Sequence, residues 1–174
     1  QAVAGVELAI RRPDGGDAAP GEEGEVWARG GNIMRGYWNA PEASAAVLQE
    51  GWLRTGDIGR IDDEGDLWLA GRRSDIIKTG AHRVHPLDVE QVIAGLPGVH
   101  EVAVAGLDDA LLGQVVAAFV VADRALVAGE MAVKAHCRAH LPAYKIPRHV
   151  RFVDALPRTA SGKIRRADLP TELP

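Results

Sequence analysis

A chain of 174 residues, with 47% hydrophobic and 25% charged side chains, is long enough for one ordinary domain or two small ones. The composition excludes a disordered polar chain, and no apolar run reaches the roughly 20 residues that a membrane-spanning helix needs. The single cysteine, Cys137, cannot form an internal disulfide or a multi-cysteine zinc site, so we expect a reducing, cytoplasmic location. Because Gln1 opens a stretch that reads as structured sequence, we expect a piece of a longer protein.

Charge is distributed unevenly along the chain. Residues 1–70 hold 6 Lys and Arg against 13 Asp and Glu, whereas residues 71–174 hold 14 against 11. Between Lys134 and Arg166 there are nine basic side chains and a single acid, Asp154. This basic segment predicts an anionic ligand, with a solvated basic face as the alternative. A phosphorylated small molecule is favoured over nucleic acid, since the segment has few aromatic residues and the whole chain is acidic.

The first half of the chain reads as short strands separated by turns. Apolar patterns predict strands at 6–10, 24–28 and 67–70, the last of them after a turn at Glu64-Gly65. One helix is expected to start at Pro41, because proline suits the first turn of a helix. This half should therefore form a β-rich unit.

The second half alternates helices with strands. A helix is expected from Pro86 to Gly95, and a second from about residue 129 to 140. Runs rich in β-branched residues predict strands at 99–106, 115–122 and 150–153. Together the two halves predict an α/β protein, more narrowly of the α+β kind.

Several common frameworks are missing from the sequence. It contains no G-x-x-x-x-G-K-[ST] phosphate loop, no G-x-G-x-x-G fingerprint and no G-x-S-x-G elbow. His136 and His140 lie one helical turn apart, but no third ligand completes a metal set at useful spacing, so no metal site is expected. Cys137 lacks a local nucleophile signature and is expected to be a small buried side chain.

Three short segments could carry chemistry. Residues Thr55 to Asp57 place a carboxylate after a glycine in a tight turn, where it could accept two hydroxyls or simply close the turn. Residues Ser161 to Lys163 place an ammonium group on a glycine-hinged loop, where it could reach a transferring phosphate. The loop from Lys78 to Arg83 is equally open to a functional or a structural role.

Taken in chain order, five motifs resemble those of the adenylate-forming superfamily, which includes acyl-CoA synthetases, peptide-synthetase adenylation domains and luciferases. They are G-E-V with G-Y-W and P-E (24–42), G-W-L-R-T-G-D (51–57), G-R-R-S-D-I-I-K with Gly80, Val84, Pro86 and Glu90 (71–90), L-P-A-Y-K-I-P (141–147) and P-R-T-A-S-G-K-I (157–164). The resemblance runs nearly end to end. It implies that residues 1–71 are the β-rich end of the large domain and residues 72–174 the small, mobile C-terminal α+β domain.

The resemblance implies an acyl-CoA synthetase, a ligase that joins a carboxylic acid to CoA through acyl-AMP, with ATP entering together with Mg²⁺. Asp57 would bind the ribose hydroxyls and Arg72 would support the same nucleotide. Lys163 would act as the catalytic cation on the acid and the α-phosphate, and Ser74 would be the hinge between the domains. The thiol would pass along a loop formed by Lys78, Thr79, Gly80, Ala81, His82 and Arg83.

Some features depart from the family pattern. Ser74 stands where the family commonly has Asp or Lys, and residues 80–83 read G-A-H-R. The Thr/Ser/Gly-rich phosphate loop of the large domain is not in the sequence, so we expect this chain to be inactive alone and to need the missing N-terminal domain as its partner. Two alternatives stay open: a carrier-protein phosphopantetheine as the thiol, or a nucleotide- or CoA-binding module without turnover. A nucleic-acid partner is not expected.

Overall fold

The structure, a computed structural model, describes residues 2–123 and 129–170 of the chain. They form two compact units, one ending at Ser74 and the other starting at Asp75. The first unit contains β1 (Val6–Arg11), β2 (Gly24–Gly30), α1 (Pro41–Val47), β3 (Leu48–Gln49), β4 (Trp52–Ile61) and β5 (Leu67–Arg72). The second unit contains β6 (Ile77–Thr79), β7 (His82–Val84), α2 (Pro86–Ala94), β8 (Val99–Asp109), β9 (Gly113–Ala122), α3 (Glu130–His140) and β10 (His149–Phe152).

The elements confirm the predicted α+β class, and the three predicted helices are present. Two predictions about local structure are wrong. The segment from Thr55 to Asp57 was expected in a turn but lies inside β4. The segment from Lys78 to Arg83 was expected to be a loop but forms most of β6 and β7, which pair as an antiparallel hairpin. Both errors have the same physical cause. Glycine and polar residues interrupt the alternation that identifies a strand in the sequence, and these strands form because they pair with neighbouring strands.

The sheet of the first unit is antiparallel and centred on β4. Strand β2 pairs along one edge of β4, and β1 pairs with β2 on the far side. The other edge of β4 is shared by the short strand β3 and by β5. The core of this unit includes Ile10, Val26 and Ile58. This arrangement brings the end of β5 beside the middle of β4.

The sheet of the second unit is centred on β9. Strand β8 pairs antiparallel with β9 over almost its full length, and β10 runs parallel to β9 on the other side. The β6–β7 hairpin joins this sheet through a single pairing, between Thr79 and Gly113. None of the described helices is both long enough and apolar enough to cross a membrane.

Strand β9 is buried on both faces, which accounts for its nearly continuous apolar sequence. Val116, Ala118 and Val120 belong to a core that also takes in Val89 and Ile93 of α2 and Val133 and Cys137 of α3. The alternate residues Val115, Ala117 and Phe119 belong to a second core, which Leu156 and Leu169 complete. The second face is therefore covered by the chain that follows β10, and that chain carries Lys163.

Candidate functional site

A bulge in β4 positions the carboxylate of Asp57. In the pairing with β2, Arg54 lies opposite Trp27 and Ile58 opposite Glu25, so that Thr55, Gly56 and Asp57 together face Val26 alone. Gly56 has φ of 75°, in the left-handed region that side chains with a Cβ rarely adopt. Bulges of this kind redirect a side chain locally while the strand continues on both sides.

Hydrogen bonds hold this bulge in one conformation. The Thr55 hydroxyl donates to the carbonyl oxygen of Val26 (2.8 Å) and accepts from the backbone N–H of Asp57 (3.0 Å). Arg72 lies directly opposite Asp57 in the β4–β5 pairing, and its Nε is 2.9 Å from Oδ1 of that carboxylate. Its Nη1 donates to the carbonyl oxygen of Thr55 (2.8 Å). The structure thus brings Asp57 and Arg72 together, as two of the residues predicted for a nucleotide site.

The Asp57 carboxylate is oriented yet still accessible. Its side chain is 30% exposed, and Oδ2 accepts no hydrogen bond from any residue that the structure describes. An ionised carboxylate has about four lone-pair positions, of which Arg72 occupies one. Two adjacent hydroxyl groups could therefore be bound by the remaining positions through charge-assisted hydrogen bonds.

Lys163 lies on an exposed turn in the second unit. The backbone N–H of Thr159 donates to the carbonyl oxygen of Lys163 (2.8 Å), and the N–H of Lys163 donates to the Thr159 hydroxyl (3.1 Å). Gly162, with φ of 83°, allows the chain to reverse between them. The Lys163 ammonium has no hydrogen-bond or ion-pair partner among the described residues. Its backbone is fixed while its charge stays available.

The β6–β7 hairpin carries the residues predicted to line the path of a thiol. In β6 the side chain of Thr79 is buried while that of Lys78 is exposed, and residues 80–83 are all exposed. The N–H of Gly80 donates to the carbonyl oxygen of Leu112 (2.8 Å), and the N–H of Lys78 donates to Oε1 of Gln114 (3.0 Å). These hydrogen bonds hold the hairpin against the turn between β8 and β9 and against the start of β9.

One side chain of this hairpin makes an aromatic contact. The His82 ring stacks on the ring of Tyr144, with centroids 4.1 Å apart and planes within 7°. Tyr144 lies in the L-P-A-Y-K-I-P segment, which forms a short 3₁₀ turn at Ala143–Lys145. Two of the recognised motifs therefore meet in space.

The basic segment is largely neutralised by acids from elsewhere in the sequence. Six of its nine cations lie within ion-pair distance of a carboxylate: Lys134, Lys145, Arg148, Arg158, Arg165 and Arg166. Asp109, which Arg148 contacts, has a lowered pKa, first because the backbone N–H groups of Leu112 and Leu111 donate to it. Most cations of this segment thus have a carboxylate partner, and Lys163 is one of the exceptions.

Ser74 lies at the junction that separates the two units along the chain. It is the middle residue of a 3₁₀ turn, Arg73–Asp75. In the first unit, Nη1 of Arg73 is 2.9 Å from Oε2 of Glu25. In the second unit, Nη1 of Arg166 is 3.1 Å from Oδ2 of Asp75. The residues on each side of Ser74 are thus tied to their own units.

Sequence reasoning missed two residues that shape the site. Glu90 was noted as part of a motif but given no role, although it is one of the two buried polar residues of the described chain. Arg166 was counted only as one of a row of cations, yet its guanidinium contacts both Glu90 and Asp75. A glutamate on the buried side of a predicted helix would have been the available signal, because a buried carboxylate needs a cation.

Other groups that could have carried chemistry have structural roles. Cys137 is fully buried, and burial raises the pKa of its thiol, so it is not an activated nucleophile. A ring nitrogen of His136 lies 3.0 Å from the carbonyl oxygen of Val92. Asp62, Glu64 and Asp66 form an acidic group on the β4–β5 turn, where Asp62 already accepts the backbone N–H groups of the other two.

Comparisons with known proteins agree with these motifs. Residues 88–163 match the family described as the AMP-binding enzyme C-terminal domain. A 2-succinylbenzoate–CoA ligase from Geobacillus kaustophilus is 44% identical over 97% of this chain. A long-chain-fatty-acid–CoA ligase, FadD13, from Mycobacterium tuberculosis is 44% identical over 94%. The resemblance to adenylate-forming enzymes is therefore confirmed.

The fold agrees with the same conclusion. The crystal structure of ATP-bound MatB from Rhodopseudomonas palustris superposes with a TM-score of 0.91 at 35% identity, over 97% of this chain and 34% of that one. This chain spans 34% of the succinylbenzoate ligase and 32% of FadD13. It thus corresponds to about a third of the length of these relatives.

Proposed function

We propose that this chain is the C-terminal part of an ATP-dependent, AMP-forming acid–thiol ligase. Residues 1–71 form the end of its large domain and residues 72–174 its small domain. The observation that carries the proposal is the Asp57–Arg72 pair on a fixed bulge, together with a Lys163 on an exposed turn whose ammonium has no partner within residues 2–123 and 129–170. The relatives named as CoA ligases support the same reaction class.

In the first half-reaction a carboxylate oxygen of the acid attacks the α-phosphorus of ATP. The bond from that phosphorus to the bridging oxygen breaks, pyrophosphate leaves with the electron pair, and acyl-AMP remains. Asp57 holds the ribose hydroxyls, and Arg72 keeps that carboxylate oriented. Lys163 offsets the negative charge that develops between the acid and the α-phosphate, which lowers the barrier because the contact strengthens in the transition state.

In the second half-reaction the sulfur of CoA attacks the acyl carbon. AMP leaves with the bonding electron pair, and the thiol proton passes to solvent. The β6–β7 hairpin lines the approach of the thiol, with Lys78 and Arg83 as exposed cations near its tip. Mg²⁺ enters as its complex with ATP. The single cysteine supports a reducing, cytoplasmic location for the protein.

Two segments of the second unit are anchored in different cores, which supports a role for this unit in both half-reactions. The hairpin is fixed through Ile77 and Val84, which belong to the core on the helix side of β9. The turn that carries Lys163 is flanked by Leu156 and Leu169, which belong to the core on the opposite face. Two segments anchored on opposite faces can serve one nucleotide in turn if the unit rotates about Ser74.

The test is acid-dependent exchange of labelled pyrophosphate into ATP by the full-length protein, across short-chain, long-chain and aryl carboxylates. We expect exchange with at least one acid, and thioester formation when CoA is added. The 174-residue chain serves as the control and should show no exchange. Binding of ATP by the full-length protein without exchange for any acid would contradict the proposal and indicate a non-catalytic nucleotide-binding module.

A further inference from the structure

The buried carboxylate of Glu90 is the centre of a charged network in the second unit. Glu90 is only 9% exposed, and an ionised carboxylate at such depth is costly unless it is paired and hydrogen-bonded. Its Oε1 accepts the backbone N–H of Val104 (2.8 Å). Nη2 of Arg166 donates to both of its oxygens, at 2.7 and 2.9 Å. Arg166 thus supplies the positive charge for this carboxylate.

The same guanidinium reaches two further groups. Its Nη1 donates to Oδ2 of Asp75 (3.1 Å), the first residue of the second unit. Its Nε donates to the carbonyl oxygen of Val104 in β8 (3.3 Å). One planar side chain therefore connects α2, β8 and the start of the unit, in a geometry that a flexible lysine cannot reproduce.

Arg166 follows Lys163 by three residues, and the network fixes the chain on that side of the exposed turn. On the other side, Arg158 donates to the carbonyl oxygen of Gly162 (2.7 Å) and to Oε1 of Glu101 (2.6 Å). The turn is thus held at both ends while Lys163 itself projects without a partner among the described residues.

We propose that Arg166, through Glu90 and Asp75, is a positioning residue for Lys163 in the adenylation half-reaction. This inference rests on the proposed role of Lys163. A lysine ammonium sits at the end of four flexible carbons, so its reach to a developing charge depends on where its backbone is fixed. Displacements of about 1 Å can reduce a rate by around 10²-fold. Arg166 reduces that displacement without contacting substrate.

The test compares Arg166→Gln with Arg165→Gln in the full-length protein. Arg165 is the adjacent arginine, and its ion pair is with Asp168 within the same exposed segment, so it matches the change in charge without touching Glu90. We expect Arg166→Gln to lower kcat for acyl-AMP formation by about tenfold or more with KM for ATP nearly unchanged. Thioester formation from supplied acyl-AMP should stay within about twofold of wild type, and Arg165→Gln should resemble wild type in both assays.

A second comparison separates positioning from stability. In a Lys163→Ala background, Arg166→Gln should cause no further loss of acyl-AMP formation, because the residue acts through a group already removed. Since Arg166→Gln leaves Glu90 unpaired, the double change Arg166→Gln with Glu90→Gln serves if the single variant does not fold. Failure of both to fold would overturn the inference in favour of a purely structural role.

Two results distinguish this inference from the proposed function. If Lys163→Ala abolishes acyl-AMP formation while a folded Arg166→Gln protein retains it, the positioning role is wrong and the ligase proposal stands. If Lys163→Ala itself retains acyl-AMP formation, the proposed role of Lys163 fails, and the inference fails with it.

Discussion

The two groups assigned to the nucleotide are built in different ways. Asp57 is held on a strand bulge, and the conformation of its carboxylate is fixed by Arg72 and by the hydrogen bonds of Thr55. Lys163 has a fixed backbone on an exposed turn, but its ammonium is unpaired among the described residues. The difference fits a binding group that stays with the nucleotide throughout the reaction and a cation that is needed in one step only.

The largest expected effect is at Lys163. In the full-length protein, Lys163→Ala should slow acyl-AMP formation by about 10² or more, because a transition-state electrostatic contact is lost. Thioester formation from supplied acyl-AMP should be unaffected. Separate single-turnover assays of the two half-reactions measure this effect. An equal loss in both half-reactions would show that Lys163 is not specific to acyl-AMP formation, unlike the group that the contrast with Asp57 requires.

A smaller effect is expected at Asp57. Asp57→Asn keeps the shape of the side chain but removes its charge, so the charge-assisted bonds to the ribose hydroxyls weaken. The dissociation constant for ATP should rise by about tenfold in both half-reaction conformations. Asp63→Asn, an exposed acid on the neighbouring turn, is the matched control and should leave the affinity unchanged. An unaltered affinity in Asp57→Asn, measured by calorimetry, would argue that the bulge is structural.

The smallest effect concerns the turn that supports the β6–β7 hairpin. Backbone N–H groups of Leu112 and Leu111 lower the pKa of Asp109 below its unfolded value of about 3.9. Because the folded pKa is lowered, the ionised carboxylate stabilises the fold at pH values above the unfolded pKa. This stabilisation is lost as the pH falls through the folded pKa. Asp109→Asn should therefore lower the urea midpoint of the 174-residue chain at pH 7.

The control for this change is Asp108→Asn, the exposed neighbour. The difference between wild type and Asp109→Asn should shrink as the pH falls through the lowered pKa of Asp109, where the wild-type carboxyl also becomes neutral. A difference that is constant from pH 7 down to acid would show that the charge of Asp109 makes no contribution.

Much of the fold could be predicted from local patterns. The helix at Pro86 starts with a proline, presents Val89 and Ile93 to the core and is followed by Gly95 as its C-cap, so its signals agree with its packing. Strand β9 was visible as an apolar run because both its faces are buried. Strand β4 was not predicted, because Gly56 interrupts the pattern at the bulge where the chain needs a positive φ.

The site was less accessible to sequence reasoning because its geometry depends on distant contacts. Asp57 and Lys163 could be assigned roles by resemblance, and these assignments stay predictions. The partners that hold their segments could not, since Arg166 reaches Asp75 across 91 residues and Arg158 reaches Glu101 across 57. A linear count of cations could not reveal that most of them are paired.

The most direct test of rotation at Ser74 is to assay the two half-reactions separately in full-length Ser74→Pro protein, alongside a thermal melt and with Ser74→Ala as control. Proline holds φ near about −65° and removes an N–H, so the junction should be trapped in one arrangement while each unit stays folded. We predict that one half-reaction fails, the other persists, and the melt is unchanged. Wild-type rates in both half-reactions with an unchanged melt would contradict a second unit that presents two faces to one nucleotide by rotating at Ser74.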